Sequence, residues 1–258
     1  MRISDGLRFG RPPRRSAQLC IGASSVSLRT KDAELEHRSL HEIGLAAVRP
    51  VADALLTAHR QFHTNVQLSC AWARVLILPA LAQLTREERW RNYARARFEQ
   101  IYAASAQDWD IQLAGNWPGK DRVAVVWPTA LREALAAHAH VRSVRVGLLE
   151  HLGVLLAQMP SFSGCLAQIE SGGAGLLFVV AGRLCRVRWC RFEDAEGLAA
   201  TAGAEWAGVQ ALESAEIGEA ALALTSALSQ DKVDQPRTAK LLASRLGISR
   251  AFSLSQSA

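Results

Sequence analysis

The stretch Leu19-Cys20-Ile21-Gly22-Ala23-Ser24-Ser25-Val26-Ser27-Leu28 and the stretch Ala167-Gln168-Ile169-Glu170-Ser171-Gly172-Gly173-Ala174-Gly175-Leu176 have one shape. Each is an apolar strand, a turn of Gly, Ser and Ala, and a second apolar strand. A hairpin tip of this kind gathers small side chains and bare backbone N–H groups, which is how a protein can cradle a phosphate. Cys20, Gly22, Ser24 and Ser25 mark the first candidate tip. Gln168, Glu170, Ser171, Gly172 and Gly173 mark the second. Two copies imply two related lobes that face each other. Phosphoryl transfer needs one more group, a carboxylate that holds the metal against the phosphate. Neither tip carries an acid where a metal-bound phosphate would need one.

Other groups carry less chemistry. His37 and His41 are four apart, as are His59 and His63, a spacing that puts both on one face of a helix. H-E-x-x-H does not occur, and surface or capping roles are expected. Ser24, Ser25, Ser161, Ser163 and Ser171 fall in turns, none of them within G-x-S-x-G. The five cysteines, Cys20, Cys70, Cys165, Cys185 and Cys190, contain no C-x-x-C and mostly lie in apolar runs. Reduced, buried thiols and no metal site are expected.

The elements that would position the tips follow from periodicity. Residues 17–30 predict two strands, 34–43 a third, and 44–62 a helix. Residues 66–78 are strand-rich and stop at Pro79. Thr85 with Glu88 is a capping-box signal for a helix to about Tyr102. Strands are predicted over 108–113, 122–127 and 141–146, a helix capped by Thr129 to about Ala139, and another over 147–158. The second half predicts strands over 165–170, 174–180 and 184–191, then helices from an Asp194 N-cap to about Ser214, over 220–228 and over 238–246. Gly182 sits where a hairpin turn needs a positive φ. The organisation is a flexible basic arm over 1–16, a first lobe over 17–160, a second over 161–230, and a linker, short helix and loose tail over 231–258. The fold class is α/β with mixed sheets in two lobes.

The chain has 258 residues, of which 49% are hydrophobic, enough for a sizeable core, and a net charge of +6. Arg2, Arg8, Arg11, Arg14 and Arg15 concentrate that charge at the start, with Asp5 as the lone acid. Such an arm can touch an anionic membrane or nucleic acid. No run is long enough to span a bilayer, and no apolar signal-peptide core is present, so a cytoplasmic location is expected. Trp72, Arg74, Arg183, Arg186, Arg188 and Trp189 form a candidate interaction surface of the aromatic and arginine kind. Arg186 and Arg188 alternate with Cys185, Val187 and Trp189, which predicts that the two arginines line an exposed face.

On these motifs the chain resembles the actin-like ATPase superfamily, whose lobes each open with a strand–turn–strand phosphate loop. Ile21-Gly22-Ala23-Ser24-Ser25-Val26 is similar to the I-G-S-S-S-V element that opens PilM-type pilus proteins. Leu68 to Pro79 looks like a strand–turn–strand passage of the cytoplasmic domain of GspL-type secretion proteins, and Ile169 to Leu184 like the second loop and its hairpin. The resemblance implies a two-lobed actin-like (ribonuclease H-like) fold, here reduced and degenerate. In the active family an acid precedes the Ile of the first loop. This chain has Cys20 there, Gln168 at the second-lobe equivalent, and Glu170 in place of the loop glycine. Glu170 is expected to face and repel a phosphate and to crowd its turn. The resemblance therefore implies no ATP hydrolysis and no required cofactor, with weak nucleotide binding left open. It implies a non-catalytic cytoplasmic scaffold, peripheral at the inner membrane of a type IV pilus or type II secretion platform. Its partner would be a PilN-like cytoplasmic tail. The alternative is a nucleic-acid-binding module that uses the basic arm and the Trp/Arg faces.

Overall fold

The computed structural model describes residues 15–42, 44–81, 84–114, 121–170, 173–213, 220–226, 235–248 and 250–254. The first lobe opens with β1 (Ser16–Ile21), β2 (Ser25–Arg29), β3 (Glu34–Ser39), α1 (Leu45–Ala58), β4 (His63–Leu68) and β5 (Arg74–Leu78). It continues with α2 (Glu87–Tyr102), a 3₁₀ turn over Ala106–Asp108, β6 (Trp109–Leu113), β7 (Arg122–Pro128), α3 (Thr129–Ala136) and β8 (Val141–Val146). Helix α4 (Gly147–Gln158) leads to the second lobe. That lobe holds β9 (Gly164–Glu170), β10 (Gly173–Val180), β11 (Arg183–Cys190), α5 (Ala195–Glu213), β12 (Ala221–Ser226), α6 (Gln235–Leu246) and β13 (Arg250–Leu254).

The two lobes share one sheet topology. The first sheet runs β3-β2-β1-β4-β8 and the second β11-β10-β9-β12-β13. In each, three antiparallel strands are followed by two parallel ones, so β9 stands where β1 stands and β12 where β4 stands. A third, smaller sheet, β5-β7-β6, carries α2.

Side-chain alternation explains how the layers pack. Leu19, Ile21, Val26 and Leu28 share a buried cluster with Val48, Leu55 and Leu56 of α1. The same cluster runs through Leu148, Leu152 and Leu155 of α4 into Leu166, Leu177 and Val179 of the second sheet. The opposite face of that sheet buries Ile169, Leu176 and Phe178 against Leu198 and Trp206 of α5 and Leu242 of α6. Helix α4 is thus the apolar spine that joins the lobes. The turn after β10 has Ala181 at φ 48 and Gly182 at φ 77, the pair of left-handed residues that a tight hairpin needs.

Three expectations are corrected. Residues 221–226 form a strand, not a helix. Ala221, Leu222 and Ala223 fit between β9 and β13, where both faces are covered, and a short apolar run has no period that separates the two forms. Within the expected loose tail, Arg250–Leu254 form β13, paired in parallel with β12, and α6 packs on the second sheet. Thr85 and Thr129 do not cap. The N-cap positions fall on Arg86 and Pro128 without a side-chain bond, while Glu87 and Glu88 meet the N-terminal dipole of α2. Asp194 does cap α5, its Oδ1 accepting from Gly197 N–H at 2.7 Å.

Because Leu242 is fully buried between α6 and the second sheet, Leu242→Ala should lower stability by about 2–5 kcal/mol in urea unfolding. A loose C-terminal segment would leave the midpoint unchanged.

Candidate functional site

The first tip is a closed turn. Gly22 N–H donates to Ser25 O at 2.8 Å, and the Trp72 indole N–H donates to Gly22 O at 2.7 Å. Ser69 N–H donates to Ile21 O at 2.8 Å, which brings the end of β4 alongside. Leu40 N–H donates to Ser24 O at 2.7 Å. Ser25 and Ser27 are buried within β2.

The structure brings the two hairpins together through Glu170. Its side chain is 3% exposed, at the last residue of β9. Oε2 accepts from Ala23 N–H, in the first tip, at 2.9 Å. The Ser69 hydroxyl donates to the same carboxylate, while its oxygen accepts from Ala71 N–H at 3.0 Å. Desolvation pushes the Glu170 carboxyl up to about 7, and the bonds from Ser69 and Ala23 pull the other way. The expectation that Glu170 would crowd its own turn and repel an anion there is corrected. The side chain leaves its own hairpin and takes an N–H of the opposite one, because β9 alternation aims Leu166, Gln168 and Glu170 at the first lobe.

The positions before each tip hold neutral groups. Cys20 is buried, and desolvation pushes its thiol up to about 12. Its Sγ lies 3.8 Å from Gln67 Oε1. Gln168 is 1% exposed, and its amide nitrogen and oxygen have no partner among the described residues. Its register neighbour Thr225 places Oγ1 3.2 Å from His151 Nδ1 on α4. Ser171 and Gly172 lie outside the described residues. Gly173 opens β10 where a Cβ would stand 2.2 Å from the Trp189 ring, so only glycine fits.

The six candidate surface residues are engaged within the chain. Trp72 is buried under the first tip. Arg74 donates to Cys70 O and Ala71 O and stands over the Tyr102 ring at 5.9 Å. Arg183 pairs with Glu213 and Asp121. Arg186 pairs with Glu205 of α5 at 2.6 Å and Arg188 at 3.5 Å. Arg188 is exposed, as expected, and Arg186 is half-buried; they sit opposite Leu176 and Phe178 at the flank of α5. Val187 and Trp189 pack on the shared core. No group of three metal-capable side chains occurs among the described residues. His37 lies on β3, and His59 pairs with Glu36.

Sequence reasoning missed Gln18, Gln67, Ser69 and Glu150. Gln18 Nε2 donates to Gln67 Oε1 at 2.9 Å, and Gln67 Nε2 to Glu150 Oε2 at 3.3 Å. The available signal was polar alternation: Gln18 and Cys20 on β1, Asn65 and Gln67 on β4, all on one face.

Ionising Glu170 costs more in the folded chain than in the unfolded one, since its folded value is raised from 4.5 to about 7. The folded chain holds the extra proton between those values, so this group adds stability as pH falls from 7 towards 4.5. Against Glu170→Gln, which does not titrate, the wild type should gain on the order of 3 kcal/mol between about pH 8 and about pH 5. Urea unfolding at both values measures it, and parallel pH slopes would overturn the desolvated carboxylate.

No family model matches the chain, and no curated protein matches it by sequence. Solved structures do. One is a Bacteroides thetaiotaomicron protein with an actin-like ATPase fold and unknown function. It is 12% identical, with a TM-score of 0.60, over 94% of each chain. Another is a PilM–PilN type IV pilus biogenesis complex, 17% identical, with a TM-score of 0.56, over 94% of this chain and 89% of that one. A third is the cytoplasmic domain of EpsL, an inner-membrane component of the type II secretion system of Vibrio cholerae. It is 11% identical, with a TM-score of 0.52, over 84% of each chain. With its paired five-stranded sheets and facing hairpins, the chain has the two-lobed actin-like ATPase fold.

Proposed function

We propose that this protein is a non-catalytic scaffold of a type IV pilus or type II secretion-like platform. In this reading it is cytoplasmic and sits at the face of the inner membrane. The observation that carries the non-catalytic part is Glu170. Its buried carboxylate takes the Ala23 N–H that a phosphate would need, while Cys20 and Gln168 stand where metal-holding acids would be required. An anion brought to this tip would meet a fixed carboxylate and find the donor used. No required cofactor belongs to this reading, and any nucleotide held here would be held passively.

The scaffold part rests on the likeness to the PilM–PilN complex and to the EpsL domain, and on two sheet edges beside a small apolar pocket that could take one side chain of a peptide. The pocket, of about 90 Å³, lies between β8, the edge of the first sheet, and β6, the edge of the small sheet. Leu113, Val125, Trp127 and Val144 line it. Two bare strand edges beside apolar side chains suit an extended segment, which adds main-chain hydrogen bonds to one edge and inserts one side chain. We assign these edges and their pocket to the PilN-like cytoplasmic segment of an inner-membrane protein, with the basic arm over 1–16 adding contact to anionic lipid. No helix among the described residues is long and apolar enough to cross a membrane. The nucleic-acid alternative gains no observation, since Arg183, Arg186 and Arg188 are paired with acids.

The test is a pull-down from native membranes with the tagged full chain, a chain starting at residue 17, and Leu113→Glu. The full chain should recover an inner-membrane pilus or secretion protein. Leu113→Glu should lose it by roughly tenfold or more, as expected when a charge enters an apolar contact. The shortened chain should recover less where the arm matters. Recovery of nucleic acid without any membrane protein would overturn the scaffold reading.

A further inference from the structure

The first sheet carries a second feature, at the far end of its strands from the hairpin tips. Cross-strand register sets two polar rows on the face not covered by α1. One row is Arg29, Gln18, Asn65 and Ser143, and the next is Ser27, Cys20, Gln67 and Arg145. Side chains paired this way point to the same face of a sheet. The first row, with Gln67 and Arg145 of the second, floors a cavity of about 690 Å³, walled by Glu150, His151 and Val154 of α4 and by Leu254 of β13. Both lobes therefore contribute, and the volume falls in the range of small-molecule sites.

The charges in the cavity are unbalanced. Arg29, Lys31 and Arg145 line it against a single carboxylate, Glu150. Arg145 is paired with that carboxylate at 3.0 Å. Glu34 of β3 is the cross-strand neighbour of Arg29, and its Oε1 lies 3.6 Å from His37 Nδ1. The Arg29 Nε and Nη2 donate to Gln18 Oε1 at 3.0 and 2.9 Å, which fixes the guanidinium over the floor. Gln18 is in turn held by Gln67, and Gln67 by Glu150. The His151 imidazole is lowered by burial and then by the Arg29 charge, so it faces the cavity neutral while Arg29 gives the cavity a positive field. Val154 and Leu254 add an apolar flank.

We propose that this cavity binds a small phosphate monoester, with the phosphate against Arg29 and Lys31 and its organic part along Val154 and Leu254. A monoester carries close to two negative charges at neutral pH, and the three lining cations outnumber Glu150 and the neighbouring Glu34. A pre-oriented guanidinium offers the fork geometry that phosphate oxygens accept. The amides and hydroxyls of Asn65, Gln67 and Ser143 supply hydrogen bonds for an ester that also bears hydroxyl groups. The proposal is independent of the scaffold reading, since it uses neither the β6–β8 pocket nor the hairpin tips.

The experiment titrates the full chain with glucose 6-phosphate, AMP and inorganic phosphate, with sodium sulfate as the control, by thermal shift and then calorimetry. At least one ester should raise the melting temperature and bind at millimolar concentration or tighter, and sulfate should bind more weakly. Arg29→Gln should weaken the ester roughly tenfold or more, as the loss of a charged bidentate contact does, with an unchanged circular dichroism spectrum. Lys31→Gln, on an exposed side chain, should weaken it less and serves where Arg29→Gln fails to fold. Glu170→Gln should bind as the wild type does, which separates this cavity from the hairpin tips. The proposal is overturned by no shift with any ester, by wild-type affinity in both cavity variants, or by sulfate binding as tightly as the esters.

Discussion

A carboxylate taken out of water without a cation beside it must be met by hydrogen-bond donors, or it forces the structure open. Glu170 is such a group, and its donors come from the other lobe: Ala23 N–H in the first hairpin and the hydroxyl of Ser69, which follows β4. Much of the geometry between the lobes follows from that need. The first turn must hold Ala23 N–H free of its own partner, which it does because Gly22 N–H and Ser25 O close the turn one position earlier. Trp72 must sit where its indole reaches Gly22 O, and Cys70 must lie near enough for its thiol to feel the Glu170 charge. The apolar spine of α4 gives the bulk of the burial, and the carboxylate sets the registration.

That arrangement also accounts for the neutral residues around it. A buried acid at Cys20 or Gln168 would add a second charge beside one that already lacks a counter-ion, and two close carboxylates cannot both ionise cheaply in a dry site. The thiol at Cys20 stays protonated and the amide at Gln168 carries no charge. In a protein that binds a metal and a phosphate between its lobes, the ligand's charges would balance such acids. Here the chain supplies the anion itself, and the seam is consistent with a protein whose lobes meet without a ligand.

The sequence made some of this legible and hid the rest for physical reasons. The hairpins at residues 17–29 and 164–180 showed themselves because strand alternation and Gly/Ser turns are local. The β10–β11 turn did so because two left-handed residues leave few choices. Helix α5 was legible from the Asp194 cap and its length. Strand β12 was not, since Ala-Leu-Ala-Leu suits a helix by propensity and becomes a strand only when β9 and β13 flank it. Arg186 and Arg188 looked exposed because charge usually is. Their pairing with Glu205 was not legible, because that acid is supplied by a helix whose docking no local pattern encodes. The reach of Glu170 was likewise invisible, because the position of its side chain relative to Ala23 is a property of two packed sheets. The polar rows of the first sheet were written in the alternation of Gln18, Cys20, Asn65 and Gln67, but only the register shows that they line up.

The two sheets have one topology and two different surroundings. The second is covered on both faces, by α5 and α6 on one side and by the shared core on the other, and its strands β9 and β10 are buried throughout. The first is covered by α1 on one face and is polar on the other. Helix α4 crosses from the polar rows to the buried seam. Gly147 packs on Gln67, Glu150 accepts from it, and His151 bonds Thr225, the register neighbour of Gln168. The hydrogen-bonded line Arg29–Gln18–Gln67–Glu150 therefore starts in the cavity and ends on the one helix that both lobes share. A group that drew Arg29 or Glu150 aside would pull on Gln67, whose oxygen also lies within reach of the Cys20 thiol, two residues before the first turn. The cavity and the interlobe seam are separate in place, and the line of hydrogen bonds from Arg29 ends on the helix that both lobes share.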